Sequence, residues 1–262
     1  MGVTATTLRG RIRRLALNDP KGRNELDADA RSELASGLQD AYGDPDIRAI
    51  VIGTDVRNFS AGGDLARVAE YAAGQSSHRM MRSVNDLARL LHGSPKPLIA
   101  AVAGHCVGAG AGLALLCDVI VCGRSAKLGF PFLKLGLVPD FGVSFSLPRR
   151  IGAPAARRAL LGGLIYDGDD ALALGLVDEC VDDGQLNEAA LDKAALLADA
   201  PANALLQLRL MLRREAATLA DALETEALNQ AICFGSADLA EGIAAFREKR
   251  PANFVPAGGD RS

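Results

Sequence analysis

The sequence predicts an α/β protein with a mostly parallel sheet, followed by a helical region. In the first half of the chain, short buried strand patterns alternate with helical patterns. Past about residue 150, Ala, Leu, Arg and Glu dominate, and helical periodicity replaces most strand signals. The chain has 262 residues, of which 49% are hydrophobic, so it can bury a sizeable core in one large domain or two small ones.

The elements of the first half follow from the spacing of apolar residues. Leu8–Leu17 is predicted as a strand region in which alternate arginines place charge on one face. Glu25–Tyr42 has helical spacing and ends at the turn Gly43–Pro45, and Met80–Leu91 is also predicted as helix. Buried strands are predicted at Ile47–Ile52, Leu98–Val102 and Val119–Cys122. The carboxyl ends of such strands commonly build sites, so their loops are the places to look for function.

The second half is predicted to be mainly helical. Helical periodicity covers Ala155–Leu161, Gln185–Leu197, Ala202–Arg214 and Leu219–Ala231. A boundary near Ala200–Pro201 separates a core of residues 1–200 from a C-terminal helical region of residues 201–262. Pro256–Gly259 is expected to form a disordered end.

Composition argues against nucleic acid and metal as partners. The 29 Lys and Arg against 32 Asp and Glu give a net charge of −3, and aromatic residues make up 4% with no Trp. The three histidines have no neighbours at metal-ligand spacing, so no metal is predicted. A small-molecule substrate is the remaining expectation.

A cytoplasmic protein without a membrane span is expected. Pro97–Cys117 carries no charged residue and is long enough to span a bilayer, but its glycines break it into strand, turn and buried helix. The five cysteines form no CxxC pair and the N-terminus lacks a secretory signal, which fits thiols in a reducing compartment.

Two glycine-rich segments follow predicted strands. In Asn58–Leu65 (Asn-Phe-Ser-Ala-Gly-Gly-Asp-Leu), adjacent glycines allow a sharp turn with exposed N–H groups, and Asp64 is suited to cap the next helix. An ordinary strand-to-helix turn explains this segment equally well. In Ala103–Gly112, glycines two apart open a helix whose amides can hold an oxyanion, although close packing of the helix on the sheet also explains any single glycine. A dinucleotide fingerprint fails because Leu113 stands at the third glycine position.

A third segment, Leu128–Val143, contains Asp140, the only carboxylate between Asp118 and Asp167. Four phenylalanines lie near it in sequence: Phe130, Phe132, Phe141 and Phe145. If those rings surround it, desolvation raises its pKa toward a value useful for proton transfer near neutrality. A turn or helix cap is the alternative role for a Pro-Asp pair.

The order and separation of these segments resemble the enoyl-CoA hydratase/isomerase family, also called the crotonase superfamily. The resemblance covers most of the chain. Its segments are Leu17–Asn24, Asp44–Val51, Phe59–Leu65, Lys96–Val102, Gly136–Asp140 and Glu241–Arg250.

This resemblance implies a spiral of ββα turns, a C-terminal helical trimerisation region and acyl-CoA thioester substrates, with CoA carried by the substrate and no separate cofactor. Two backbone N–H groups polarise the thioester carbonyl in the family, and they map onto Gly63 and Ala109. Alanine replaces the usual glycine at the second position but keeps its amide. The implied CoA-binding residues are Ala61, Gly63, Asp64, Leu65 and Ala66, with Phe246 and Lys249 at the nucleotide end. A homotrimer or a dimer of trimers is expected.

The departures from the family pattern point to the reaction. The two glutamates that activate water in the hydratases match Gly112 and Phe132, neither of which can move a proton. Asp140 falls where the isomerases of the family place an acid, so the sequence favours isomerisation of a 3-enoyl-CoA to a 2-enoyl-CoA. A hydratase-like member with another acyl-CoA reaction and a non-catalytic acyl-CoA binder remain alternatives. The dehalogenase branch of the family, which also places an Asp there, ranks far lower because its usual aromatic partner includes a Trp and this chain has none.

Overall fold

A hairpin opens the chain where a single strand region was predicted. In the computed structural model, which describes residues 2–66, 76–214 and 216–254, β1 (Gly2–Leu8) pairs antiparallel with β2 (Ile12–Asn18). Arg9 and Gly10 have left-handed φ values of 48° and 70°, and this turn reverses the chain. The predicted strand region is therefore confirmed over Ile12–Leu17, whereas the turn at Arg9 and Gly10 separates Leu8, which ends β1.

The main sheet is parallel from its second strand onward, as the sequence predicts. The strand order is β1-β2-β3-β4-β6-β9, with β3 (Ala49–Thr54), β4 (Leu98–Val102), β6 (Val119–Gly123) and β9 (Glu179–Val181). A second sheet has the order β5-β7-β8, with β5 (His105–Val107), β7 (Lys127–Gly129) and β8 (Ile165–Asp167). The strands β5, β7, β8 and β9 were not predicted; each has only three residues and no periodicity of its own.

The helices match the predicted segments in most places. Their bounds are α1 (Ala28–Gly43), α2 (Ser76–His92), α3 (Ala109–Leu115), α4 (Val143–Ile151), α5 (Ala153–Gly162), α6 (Gly168–Ala173), α7 (Leu186–Ala198), α8 (Ala202–Arg214), α9 (Leu219–Phe234) and α10 (Ala237–Glu248). Short 3-10 turns lie at Phe132–Leu135 and Asp183–Gln185. The expected disordered end at 256–259 lies outside the described residues.

The main sheet buries side chains on both faces. Within β3, Ile50 and Ile52 enter the larger core, whereas Ala49 and Val51 face a smaller core against α7. This alternation follows from the two-residue period of a strand. A strand covered on both sides reads as continuously apolar, which is why β3 and β4 were visible in the sequence.

The C-terminal helices are tied to the core through Asp118, at the start of β6. Its carboxylate pairs with Arg209 of α8 at 2.7 Å and with Arg213 at 3.2 Å. The Arg209 Nη1 also donates to the Ser94 carbonyl oxygen at 3.1 Å. This ion-pair network fixes the direction in which α8 leaves the core. Within the described ranges, no helix combines the length and apolarity needed to cross a membrane.

Candidate active site

The first glycine-rich segment forms a tightly held loop after β3. The Phe59 and Ser60 amides donate to the carbonyl oxygens of Ala103 and His105, at 2.7 and 2.9 Å. Gly62 has φ of +89°, a conformation that L side chains rarely adopt, and its carbonyl accepts from the Leu26 amide at 2.8 Å. In a trans peptide the C=O and N–H point in opposite directions, so this bond also sets where the Gly63 N–H points.

The second glycine-rich segment forms β5 and the first turn of α3. Gly108 has φ of +58°, and its carbonyl accepts from the Gly112 amide at 3.1 Å. The Ala109 amide belongs to the same peptide unit as that carbonyl, so it points out of the helix N-terminus. A first-turn amide has no acceptor within its own helix and is available to a ligand.

The two segments lie against each other. A Cβ built on Gly62 would be 2.8 Å from the Val107 carbonyl oxygen and 3.4 Å from the Ala109 nitrogen. Among the residues the structure describes, neither the Gly63 nor the Ala109 amide donates to a protein acceptor. Gly62 and Ala109 are therefore close neighbours, and the convergence of the Gly63 and Ala109 amides on one thioester oxygen stays a prediction.

The predicted CoA segment begins a helix directly after these donors. The Asp64 Oδ1 accepts from the Ala66 amide at 2.9 Å, which is the capping role expected from the sequence. Leu65 is 53% exposed and leaves an apolar surface beside the loop.

Phe246 and Lys249 lie at the end of α10, on the C-terminal helices. Phe246 is 85% exposed, and Lys249 ends the helix with φ of +55°. Within the described ranges neither forms a hydrogen bond to residues 61–66. Their predicted role at the nucleotide end of CoA stays a prediction, and a neighbouring subunit is one way to bring them there.

Asp140 follows the 3-10 turn and precedes α4. The Asp140 backbone carbonyl accepts from the Val143 amide at 2.9 Å. The N-cap residue of α4 is Gly142, and no side chain caps this helix. The Asp140 Oδ1 is buried without a hydrogen-bond partner among the described residues. Burial raises the pKa of the Asp140 carboxyl, and a hydrogen bond from the Asp140 backbone amide and the positive charge of Arg31 partly oppose that rise. The Asp140 side chain is therefore not the cap of α4, whereas the bond from the Val143 amide to the Asp140 carbonyl is that of a turn, so the turn alternative agrees with the structure.

Three of the four phenylalanines near Asp140 in sequence are buried. Phe130, Phe132 and Phe141 are 0%, 6% and 1% exposed, whereas Phe145 is 41% exposed. Instead, the Arg149 Cζ lies 3.6 Å above the centroid of the Phe145 ring, and this ring packs edge-on against the His92 imidazole. The suggestion that Phe145 helps to surround Asp140 is not supported.

The positions that match the hydratase glutamates are filled by packing. A Cβ on Gly112 would lie 2.6 Å from the Phe141 Cβ and 3.1 Å from the Val143 Cγ2. The Phe132 ring lies 4.0 Å from the Cβ position of Gly108, beside the second donor. An apolar wall therefore stands on this side of the site, and position 112 has no room for a side chain.

The buried polar residues near the site that were not singled out from the sequence include Asn24 and Arg31. Asn24 is fully buried with φ of +49°, and its Nδ2 donates to oxygens of Leu17, Thr54 and Asn58. Arg31 is 8% exposed, and its Nη1 donates to the Leu26 carbonyl at 2.6 Å. A buried arginine at helical spacing is invisible in an apolar pattern, so only the fold reveals it.

A cleft of about 510 Å³ opens beside the donor loop. It is lined by the basic residues Arg57 and Lys127, by His105 and by one carboxylate, Asp183. The His105 Nδ1 is 3.0 Å from the Asn58 Oδ1, which fixes the imidazole beside the loop. Within the described residues, no cluster of three His, Cys, Asp or Glu has metal-binding geometry.

Comparison with known proteins agrees with this geometry. The enoyl-CoA hydratase/isomerase family model matches residues 8–256. A Thermus thermophilus relative named as an enoyl-CoA hydratase is 38% identical over 94% of this chain and 98% of its own. The 1,2-epoxyphenylacetyl-CoA isomerase of Escherichia coli is 36% identical over 92% of this chain and 94% of its own.

Solved structures show the same fold. The crystal structure of an enoyl-CoA hydratase from Polaromonas aligns with a TM-score of 0.92 and 30% identity, covering 97% of this chain and 100% of that chain. The α/β core with its C-terminal helices is thus the crotonase fold that the sequence resemblance implied. The family model over residues 8–256 and relatives of 36–38% identity show that the chain belongs to the enoyl-CoA hydratase/isomerase family.

Proposed function

We propose that this protein is an enoyl-CoA isomerase that moves the double bond of a 3-enoyl-CoA to the 2-position. The observation that carries this proposal is the buried, unpartnered carboxylate oxygen of Asp140, combined with the apolar Gly112 and Phe132 where a hydratase needs acids. Burial raises the pKa of Asp140, which suits a group that takes and returns a proton.

The reaction needs one carboxylate and two amide donors. Asp140 takes a proton from C2 of the 3-enoyl thioester, and the electron pair spreads over C2 to C4 and the thioester oxygen as a dienolate. The Gly63 and Ala109 amides donate to that oxygen and stabilise its negative charge. The protonated Asp140 then delivers the proton to C4, which restores the carboxylate and leaves the 2-enoyl-CoA.

The names of the relatives are more often hydratases than isomerases. Hydration of a 2-enoyl-CoA requires a group that activates water, and neither Gly112 nor Phe132 supplies one. The relative named 1,2-epoxyphenylacetyl-CoA isomerase supports an isomerisation on this scaffold. A different acyl-CoA reaction and a binder without activity are the competing outcomes.

The substrate proposal brings its own cofactor and assembly expectations. CoA enters as part of the thioester, held along Ala61–Ala66, and no separate cofactor is required. We propose a homotrimer, or a dimer of trimers, built through the C-terminal helices. Large apolar side chains exposed on α8–α10 support this: Leu208, Leu212, Leu219, Leu223, Leu228, Ile232 and Phe234. Light scattering that gives a monomer mass at micromolar concentration contradicts this assembly.

The test is a direct comparison of substrates. The purified protein is incubated with a 3-enoyl-CoA, a 2-enoyl-CoA and 1,2-epoxyphenylacetyl-CoA, and the products are separated by chromatography. We expect conversion of the 3-enoyl thioester and no 3-hydroxyacyl-CoA from the 2-enoyl thioester. Asp140→Asn, which keeps the size of the side chain, should lower isomerisation by about 10²-fold or more with CoA affinity unchanged. Full activity in this variant removes Asp140 from the mechanism.

A further inference from the structure

Ser60 lies between the two predicted donors and has no part in the proton transfer. It is fully buried, with 0% of its surface exposed. A buried hydroxyl is costly unless its hydrogen bonds are made, so its partners indicate what it holds in place.

The Ser60 hydroxyl bonds on both sides. It donates to the Asn24 carbonyl oxygen at 2.7 Å and accepts from the Gly62 amide at 3.1 Å. Asn24 is itself held by its three Nδ2 contacts, so the hydroxyl connects the Gly62 peptide to a rigid buried point.

This bond restrains the hinge next to the first donor. Gly62 is conformationally free, and its φ of +89° persists only if the peptides on either side are held. The Ser60 hydroxyl holds the preceding peptide by accepting from the Gly62 N–H. The Leu26 amide holds the following peptide by donating to the Gly62 carbonyl oxygen at 2.8 Å. The following peptide carries the Gly63 N–H.

The same residue also contacts the segment of the second donor. The Ser60 amide donates to the His105 carbonyl at 2.9 Å, and the Val107 amide donates to the Ser60 carbonyl at 3.1 Å. A Cβ built on Gly110 would lie 2.6 Å from the Ser60 Cβ and 2.8 Å from its Oγ, so the first turn of α3 rests directly on Ser60. The spacing of the two donor segments is therefore set across one side chain.

We propose that Ser60 is the positioning residue of the oxyanion hole, with its buried hydroxyl fixing the Gly62 hinge and its side chain setting the distance to the Ala109 donor. This proposal rests on the proposed function, because it assigns Gly63 and Ala109 to the thioester oxygen. Misplacing a donor by about 1 Å is enough to lower turnover by about 10²-fold.

Ser60→Ala removes the hydroxyl, and Ser94→Ala is the matched control. Ser94 is also 0% exposed, and its hydroxyl donates to the Lys96 carbonyl at 2.6 Å and accepts from the Lys96 amide at 3.3 Å, within a turn before β4. Each variant loses one bond that the hydroxyl donates and at least one that it accepts, so both should lose stability. Only Ser60→Ala should alter the donors.

Two readouts separate positioning from stability. The first is the kinetics of isomerisation: kcat should fall at least about tenfold in Ser60→Ala, with KM changed less than about threefold. The second is the absorption of a bound dimethylaminocinnamoyl thioester of CoA, a conjugated probe whose band moves to longer wavelength when its carbonyl is polarised. We expect the shift in wild type and Ser94→Ala, and its reduction in Ser60→Ala.

Every outcome decides the proposal. Unchanged kcat and band shift in Ser60→Ala overturn it, as does an equal loss of both in Ser94→Ala. If Ser60→Ala does not fold, Ser60→Cys keeps the bulk with a weak donor and acceptor and should show the same two changes; unchanged values there overturn the proposal. A third outcome is that wild type isomerises no 3-enoyl-CoA but still shifts the probe band, and that Ser60→Ala reduces this shift. The isomerase function then fails and the positioning role stands. A wild type that never shifts the probe overturns both.

Discussion

Replacing Gly112 by alanine tests why this chain has no acid at that position. The added Cβ would lie 2.6 Å from the Phe141 Cβ and 3.2 Å from the Phe141 carbonyl oxygen, whereas carbon atoms pack best at about 3.5–4.0 Å. Both atoms are fixed to the backbone and cannot rotate away. Overpacking of this kind costs about 1–3 kcal/mol, and a helical Gly→Ala change returns about 0.5–1 kcal/mol. A net loss of about 1–2 kcal/mol is expected.

That loss is measurable by thermal unfolding. For a protein of this size, 1 kcal/mol corresponds to about 2–4 °C, so the Tm of Gly112→Ala should fall by about 2–8 °C. Gly242→Ala in α10 is the control, because its Cβ meets only the Phe254 Cε1 at an ordinary 3.9 Å. The control should be about 0.5–1 kcal/mol more stable than wild type.

The result that refutes this reasoning is a Gly112→Ala protein stabilised as much as Gly242→Ala. It would mean that Phe141 yields without cost and that space does not exclude a side chain at position 112. Gly112→Glu extends the test to chemistry: a glutamate cannot reach the site without displacing Phe141, so no hydration of a 2-enoyl-CoA should appear. A folded Gly112→Glu variant that hydrates it contradicts the same argument.

Further predictions concern charge, donors and binding. Because burial raises the pKa of Asp140, the folded state binds that proton more tightly than the unfolded state, and wild-type stability falls as pH rises from about 4 through the raised pKa. Asp140→Asn should therefore unfold at a higher Tm than wild type at pH 7. Below about pH 3 Asp140 is protonated in the folded and the unfolded state, so the two proteins should then unfold at similar Tm values. Ala109→Pro deletes one amide donor and should lower kcat by about 10²-fold in steady-state assays of protein whose fold is checked by circular dichroism. Calorimetry should show binding of a CoA thioester and none of NAD, with an affinity that Lys249→Ala lowers and that weakens at high salt. Asp118→Ala leaves the buried Arg209 without its carboxylate partner and should lower the free energy of unfolding, measured in urea, by about 3 kcal/mol. An unchanged free energy of unfolding would mean that apolar contacts alone hold α8.

The sequence by itself determined the layered α/β core. The strands β3 and β4 lie in continuous apolar runs, and α8 was predicted with its observed bounds, Ala202–Arg214. These patterns are local, because burial on both faces and helical periodicity are written into neighbouring residues. The glycine-rich segments predicted the turns for a similar reason, since Gly62 and Gly108 have left-handed φ values that favour glycine, whereas the assignment of Gly63 and Ala109 as donors came from the family resemblance and stays a prediction.

The tertiary structure decided what depends on partners distant in sequence. The three-residue strands β8 and β9 exist only because β7 and β6 pair with them, and no local pattern of three residues shows this. Phe145 was assigned to the surroundings of Asp140 by proximity in sequence, but the helix α4 carries it to Arg149 and His92.

The same holds for the environment of the reacting groups. The burial of Asp140, the filling of the space beside Gly112 by Phe141 and the bonds of Ser60 to Asn24 and Gly62 all join segments far apart along the chain. Sequence supplies the chemical groups, whereas desolvation and hydrogen-bond geometry are properties of the packed structure. The residue types at the site were therefore readable from the sequence, and their pKa and orientation were set only by folding.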